Sequence, residues 1–74
     1  MIEIYADFND ISANGVLSLT CRGSVDSITA LGPALANGEE VLLSDGELSV
    51  RGRVFRCNDG SWEARANWDS LRRL

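Results

Sequence analysis

EEVLLSDGELSVRGRVFRCNDGSWEARANW, residues Glu39–Trp68, holds three apolar-rich runs separated by two turn signals, Asp45-Gly46 and Asn58-Asp59-Gly60. It reads as three consecutive antiparallel strands, and their register decides which side chains face the interior. Two turn geometries compete in the last hairpin. A two-residue Asp59-Gly60 turn pairs Cys57 with Trp62 and Phe55 with Ala64, and sets Arg53 and Arg51 opposite Ala66 and Trp68. A three-residue Asn58-Asp59-Gly60 loop with a left-handed Gly60 shifts the pairing by one. Val54 then faces Ala64, Gly52 faces Ala66 and Val50 faces Trp68, with Trp62 at the end of the same row. One face becomes wholly apolar. A one-residue slip would reverse every side chain, so the second register is the expectation.

The preceding turn points the same way. Asp45-Gly46 read as a two-residue hairpin turn pairs Leu43 with Leu48 and Val41 with Val50, which again sends Val50 inward.

Working back toward the N-terminus, Ile2, Ile4, Ala6 and Phe8 alternate with Glu3, Tyr5 and Asp7, the pattern of a half-buried strand. Leu17, Leu19 and Cys21 form a second apolar row. Asn14-Gly15 is the sequence of a primed two-residue turn, and pairing outward from it sets Leu19 opposite Asp10, Cys21 opposite Phe8 and Gly23 opposite Ala6. Asp7 then meets Arg22 on the wet face. Ser24 can cap a short helix over Val25–Leu31, with Asp26 in its first turn and Gly32-Pro33 as its stop. Val25, Ile28 and Leu31 make one apolar stripe to cover an open barrel end, Leu35 tucks in, and Asn37-Gly38 turns the chain into the meander. The tail Asp69–Leu74 is expected as a single helical or 3₁₀ turn that starts at Asp69, with Leu71 folded back.

The expected fold is therefore mainly all-β. It is a five-stranded antiparallel small barrel, with strands near 2–8, 16–22, 40–44, 48–57 and 61–68 and one short helix near 25–31 between the second and third strands, and by fold analogy such a meander resembles an SH3-like barrel. Its 74 residues make a single domain, 1–74, that buries about 60% of its unfolded surface. No apolar run approaches the ~20 residues needed to cross a membrane, and no basic-then-apolar start resembles a secretion signal, so the expected location is cytoplasmic.

Composition narrows the chemistry. Histidine is absent, which removes the commonest metal ligand and the usual general base. Two cysteines, Cys21 and Cys57, have no metal-ligand spacing and are expected reduced, with Cys21 packed inside. The acids match no calcium-loop spacing. No catalytic residue, metal site or cofactor is expected. The formal charge of −4 argues against an ordinary nucleic-acid binder. Its distribution is uneven. Residues 1–47 carry Glu3, Asp7, Asp10, Asp26, Glu39, Glu40, Asp45 and Glu47 against Arg22 alone; residues 48–74 carry Asp59, Glu63 and Asp69 against six arginines. No lysine is present. The all-arginine usage suits bidentate contacts to carboxylate or phosphate, and a codon-biased genome explains it equally well.

The chosen register exposes one surface of interest. Arg51, Arg53, Phe55 and Arg65 lie on the outer face of the last hairpin, with Glu63 and Asn67 among them. Arg53 sits opposite Arg65, an unfavourable cross-strand pair, and Phe55 is an exposed aromatic beside them. Such a face fits an acidic or phosphate-bearing ligand with Phe55 as an apolar anchor, or else a solvated strand face whose Phe55 is covered by the tail or a second copy. Small barrels often expose aromatics for peptide or base stacking, but Trp62 and Trp68 share the apolar row and are expected in the core, with their indole N–H groups needing acceptors near the surface. Tyr5 faces outward and is a lesser candidate.

Val50-Arg51-Gly52-Arg53-Val54, followed by Trp62-Glu63-Ala64-Arg65-Ala66-Asn67-Trp68-Asp69-Ser70-Leu71-Arg72, resembles the ending V-x-G-x-V…W-x-A…W-D-x-[IL]-R of a set of short uncharacterised bacterial proteins. The resemblance covers chiefly the second half and implies no activity. Asp45-Gly46 is shorter than the acidic loop of that group. Taken together, the expected role is a non-catalytic binding or accessory module acting on a protein partner, homodimerisation included. The alternatives are a nucleic-acid-contacting regulator using the arginine face, an acidic mimic of nucleic acid built on Glu39, Glu40, Asp45 and Glu47, and last a weak enzyme.

Overall fold

The structure is a computed structural model describing residues 1–74. In chain order it contains β1 (Glu3–Tyr5), β2 (Val16–Ser18), α1 (Arg22–Leu31), a 3₁₀ turn (Gly32–Ala34), β3 (Glu40–Ser44), β4 (Leu48–Arg56) and β5 (Trp62–Arg73). The five strands form one curled sheet, a half-barrel of order β1-β3-β4-β5-β2. The fold is mostly β with one helix between the second and third strands, as the sequence implies. The sheet is mixed, however: β1 runs parallel to β3, where an antiparallel arrangement was expected.

The β4–β5 hairpin follows the predicted register. Gly60 has φ 88°, the left-handed region. Its N–H donates to the Cys57 carbonyl at 3.0 Å, and the Cys57 N–H donates to the Ser61 carbonyl at 2.8 Å. Val54 therefore pairs with Ala64, Gly52 with Ala66 and Arg53 with Arg65. Val54 is fully buried and Phe55 lies on the opposite face.

The hairpin departs from expectation beyond Arg51↔Asn67. Val50 does not pair with Trp68, because β5 bulges and the next pairs are Ser49↔Arg72 and Leu48↔Arg73. Ser70 stitches this bulge: its Oγ accepts the Arg51 N–H at 2.9 Å and donates to the Asn67 carbonyl at 2.6 Å. The tail thus continues as strand and forms no helical turn, and Leu71 is exposed.

The β3–β4 connection is also longer than predicted. Leu43 pairs with Val50 and Val41 with Gly52, two residues away from the expected partners. The cause is Asp45, whose Oδ1 accepts the N–H groups of Glu47 and Leu48, both at 2.8 Å. This side-chain turn replaces the primed two-residue turn. A shift of two preserves the inward row, so Leu43 and Val50 remain buried.

The N-terminal hairpin forms only at its tip, and one residue out of the expected register. Gly15, with φ 76° and its N–H on the Ser12 carbonyl, closes a three-residue loop, and the Ser12 N–H on the Val16 carbonyl at 2.8 Å and the Ser18 N–H on the Asp10 carbonyl at 3.0 Å flank the single bridge Ile11↔Leu17. Asp7 breaks the first strand by accepting the Asn9 N–H at 2.9 Å, while the Asp10 N–H donates to the Asp7 carbonyl. β1 and β2 then go to opposite edges of the sheet. Cys21 and Gly23 do not meet Phe8 and Ala6, and Arg22 pairs with Asp26 at 3.7 Å, not with Asp7.

The helix begins earlier than predicted, at Arg22, with Cys21 as its N-cap residue. Ser24 is not a cap. It is fully buried, its Oγ donates to the Tyr5 carbonyl at 2.5 Å, and Ser27 Oγ accepts the Tyr5 N–H at 3.2 Å. The helix therefore satisfies the outer edge of β1 with two hydroxyls, covering an edge that would otherwise be open. Asp26 lies outside the first turn. Of the predicted stripe, Ile28 and Leu31 pack on the core while Val25 is exposed.

Ile4, Ala6, Leu17, Leu19, Leu35, Val41, Leu43, Val50, Val54 and Ala64 form one buried cluster, with Trp62 and Trp68 half-buried against it. Trp68 Nε1 donates to the Gly15 carbonyl at 3.0 Å, and its ring meets Phe8 edge-on at 6.0 Å. Both cysteines are free and half-buried; Cys21 Sγ lies 3.2 Å from Ser24 Oγ rather than deep in the core. No helix is long and apolar enough to cross a membrane.

Candidate binding face

Alternation on a strand places every second residue on the face away from the core. On β4 these are Arg51, Arg53 and Phe55; on β5 they are Glu63, Arg65 and Asn67. Register then makes rows across the sheet. One row runs Glu40, Arg53, Arg65, Val16, and the next runs Glu3, Leu42, Arg51, Asn67. The four residues singled out from the sequence, Arg51, Arg53, Phe55 and Arg65, line a single open cleft of about 420 Å³ together with Glu40 and Asn67.

Gly52 sets the floor of this cleft. A Cβ added there would lie 2.7 Å from the Arg65 carbonyl oxygen and 3.1 Å from Ala66 Cα. Only glycine lets β4 and β5 approach so closely between Arg51 and Arg53.

The three guanidinium groups are held differently. Arg65 lies over the Phe55 ring, 5.0 Å from its centroid, a cation–π contact. Phe55 is consequently half-buried, not exposed as expected. Arg53 Nη1 donates to the Gly38 carbonyl at 3.0 Å, beside the edge of the same ring. The Arg51 side chain makes no hydrogen bond within the protein and stands opposite Asn67. None of the three forms an ion pair, although Glu40 is Arg53's neighbour on β3. The chain's one ion pair, Arg22–Asp26, lies on the exposed side of the helix. Two arginines face to face without a carboxylate between them are unfavourable by tenths of a kcal/mol.

Sequence reasoning missed one member of this face. Ser49 pairs with Arg72 in the row after Arg51↔Asn67, and Arg51 and Arg72 share a second cleft of about 410 Å³ with Leu42 and Ser70. No pattern in residues 69–74 announces this, because the bulge that carries Arg72 into line breaks the alternation.

The acids of the expected mimic surface are partly engaged in their own turns. Glu39 Oε1 accepts the Ala36 N–H at 3.0 Å. The Leu48 and then the Glu47 N–H hold the Asp45 carboxyl below the ordinary aspartate range, and the Ser61 hydroxyl and N–H do the same for Asp59. No three cysteine and carboxylate side chains gather into a group that could hold a metal ion. Compared with known families, curated proteins and solved structures, the chain finds no match.

Proposed function

We propose that the chain is a non-catalytic binding module that takes an acidic protein segment on the outer face of β4 and β5, acting in the cytoplasm. The observation that carries this reading is the cleft holding Arg51, Arg53 and Arg65 with no ion pair among them, in a chain with acid to spare. Guanidinium groups are forked donors suited to carboxylates, and two of these are held in place before any ligand arrives, which lowers the ordering cost of binding. Phe55, flanked by Arg65 and Gly38, adds an apolar surface. The antiparallel β3–β4–β5 meander supports an SH3-like reading of the fold; the parallel β1–β3 pairing is where it departs.

A nucleic-acid ligand has less support, since its polyanionic backbone would run past the arginine cleft onto a chain of net charge −4, whereas a short acidic segment need meet only the cleft. The acidic-mimic reading has less still, because Glu39 and Asp45 are bonded into turns. Fluorescence anisotropy with a labelled glutamate-rich peptide tests the proposal. Binding that weakens with salt and disappears in the double variant Arg53→Glu, Arg65→Glu is the expected result. Equal binding by parent and double variant would place the contact elsewhere.

A further inference from the structure

The two clefts on the outer face meet at Arg51, which lines both. Set end to end on either side of Arg51, they make a two-part groove along β4 and β5 from Phe55 to Arg72. Three successive rows of this groove carry guanidinium groups: Arg53 with Arg65, then Arg51 with Asn67, then Arg72 with Ser49. Rows on one face of a strand repeat every two residues, about 6.8 Å, so the groove spans roughly 20 Å from the Phe55 row to the Ser49 row. An extended polypeptide has the same two-residue repeat on one of its faces.

We infer that the acidic partner segment binds extended along this groove with carboxylates on alternate residues, one for each of the rows Arg53/Arg65, Arg51 and Arg72. This rests on the binding role proposed above and adds the spacing of the ligand. The first row offers two guanidiniums already fixed by Gly38 and Phe55. In the middle row Arg51 is unbonded and Asn67 can donate beside it. In the third row Arg72 stands at the edge of an apolar surface that includes Leu42. Alternate acids can serve successive rows only in an extended segment, because a helix puts residues i and i+2 on different faces; a helix would need its acids at i and i+4 instead. A segment with adjacent acids would turn half of its charge away from the groove.

Two peptides of equal composition, each with fluorescein on its N-terminus, separate spacing from charge: Glu-Thr-Glu-Thr-Glu-amide and Glu-Glu-Glu-Thr-Thr-amide, titrated by anisotropy against the parent and Arg72→Ala. The alternating peptide should bind about tenfold more tightly than the blocked one. Arg72→Ala should remove most of that advantage while leaving the blocked peptide's affinity unchanged. Equal affinity of the two peptides for the parent would overturn the spacing and leave the acidic-segment reading standing. Absence of binding by both would overturn the two together, and retention of a single-stranded oligonucleotide in that case would assign the groove to nucleic acid.

Discussion

Arg53 and Arg65 stand directly opposite each other on β4 and β5, and neither has an acidic partner. Arg53 is turned to the Gly38 carbonyl and Arg65 to the Phe55 ring, so the pair is splayed around one aromatic group. The fold tolerates this apposition at a small cost in stability.

Arg65→Glu should therefore separate stability from binding. It replaces a like-charge pair by an opposite-charge one, a gain of a few tenths of a kcal/mol, and it loses the cation–π contact, a similar amount. Unfolding free energy measured in urea should stay within about 0.5 kcal/mol of the parent. Anisotropy should show the acidic peptide no longer bound. A loss of several kcal/mol would mean that Arg65 is there for the fold.

Gly52→Ala should damage both. The new Cβ meets backbone at 2.7 Å, so β4 and β5 must part between Arg51 and Arg53. Overpacking of this kind costs about 1–3 kcal/mol. Thermal melting should show the loss, and the binding face should widen with it. An unchanged melting temperature would contradict the close approach of the two strands.

Ser24→Ala tests the covering of β1 by the helix. The Tyr5 carbonyl would lose its buried donor, at a cost of about 1–3 kcal/mol. Hydrogen exchange should show faster exchange in β1 with β4 and β5 little changed. If Ser24 acted as a helix cap, exchange would rise in the first turn of α1 instead.

The β4–β5 hairpin was legible because Gly60 and the apolar row allow only one register, and a single-residue error would have buried arginines. The pairing of β1 was not. Its alternation declares an inward face but not a neighbour, and the two-residue Asn14-Gly15 turn, in whose place the chain makes a three-residue loop closed by Gly15, points to the wrong one. What decides the matter is Ser24 and Ser27 satisfying Tyr5 from the helix, a contact across the chain that no local pattern announces. Asp45 misled by two residues because its carboxylate makes the turn itself, and parity kept the core right all the same. Arg51, Arg53, Phe55 and Arg65 came together as the register required; Arg72 could not be foreseen across a bulge.

Asp45 also gives the fold a dependence on pH. Bonds from the Leu48 and Glu47 N–H groups keep its carboxyl below the ordinary aspartate value of about 3.9. A group depressed in the folded state contributes stability that is fully present above its unfolded value and is lost as pH falls through its folded value. Asp45→Asn retains an oxygen for the turn but cannot titrate. The difference in urea midpoint between parent and variant should be constant from pH 7 to about pH 5 and should narrow below about pH 4. A difference that stays constant to the lowest pH at which both fold would show that the charge of Asp45 does not matter.

The most direct measurement is a ¹H–¹⁵N correlation spectrum of the labelled protein during titration with the alternating glutamate peptide. Shifts concentrated on Arg51, Arg53, Phe55, Arg65 and Asn67, including the guanidinium Nε–H signals, and reversed by added salt, are the result predicted. Shifts that spare these five residues and gather instead at Trp62, Val25 and Ile28 would contradict a binding role for the arginine face.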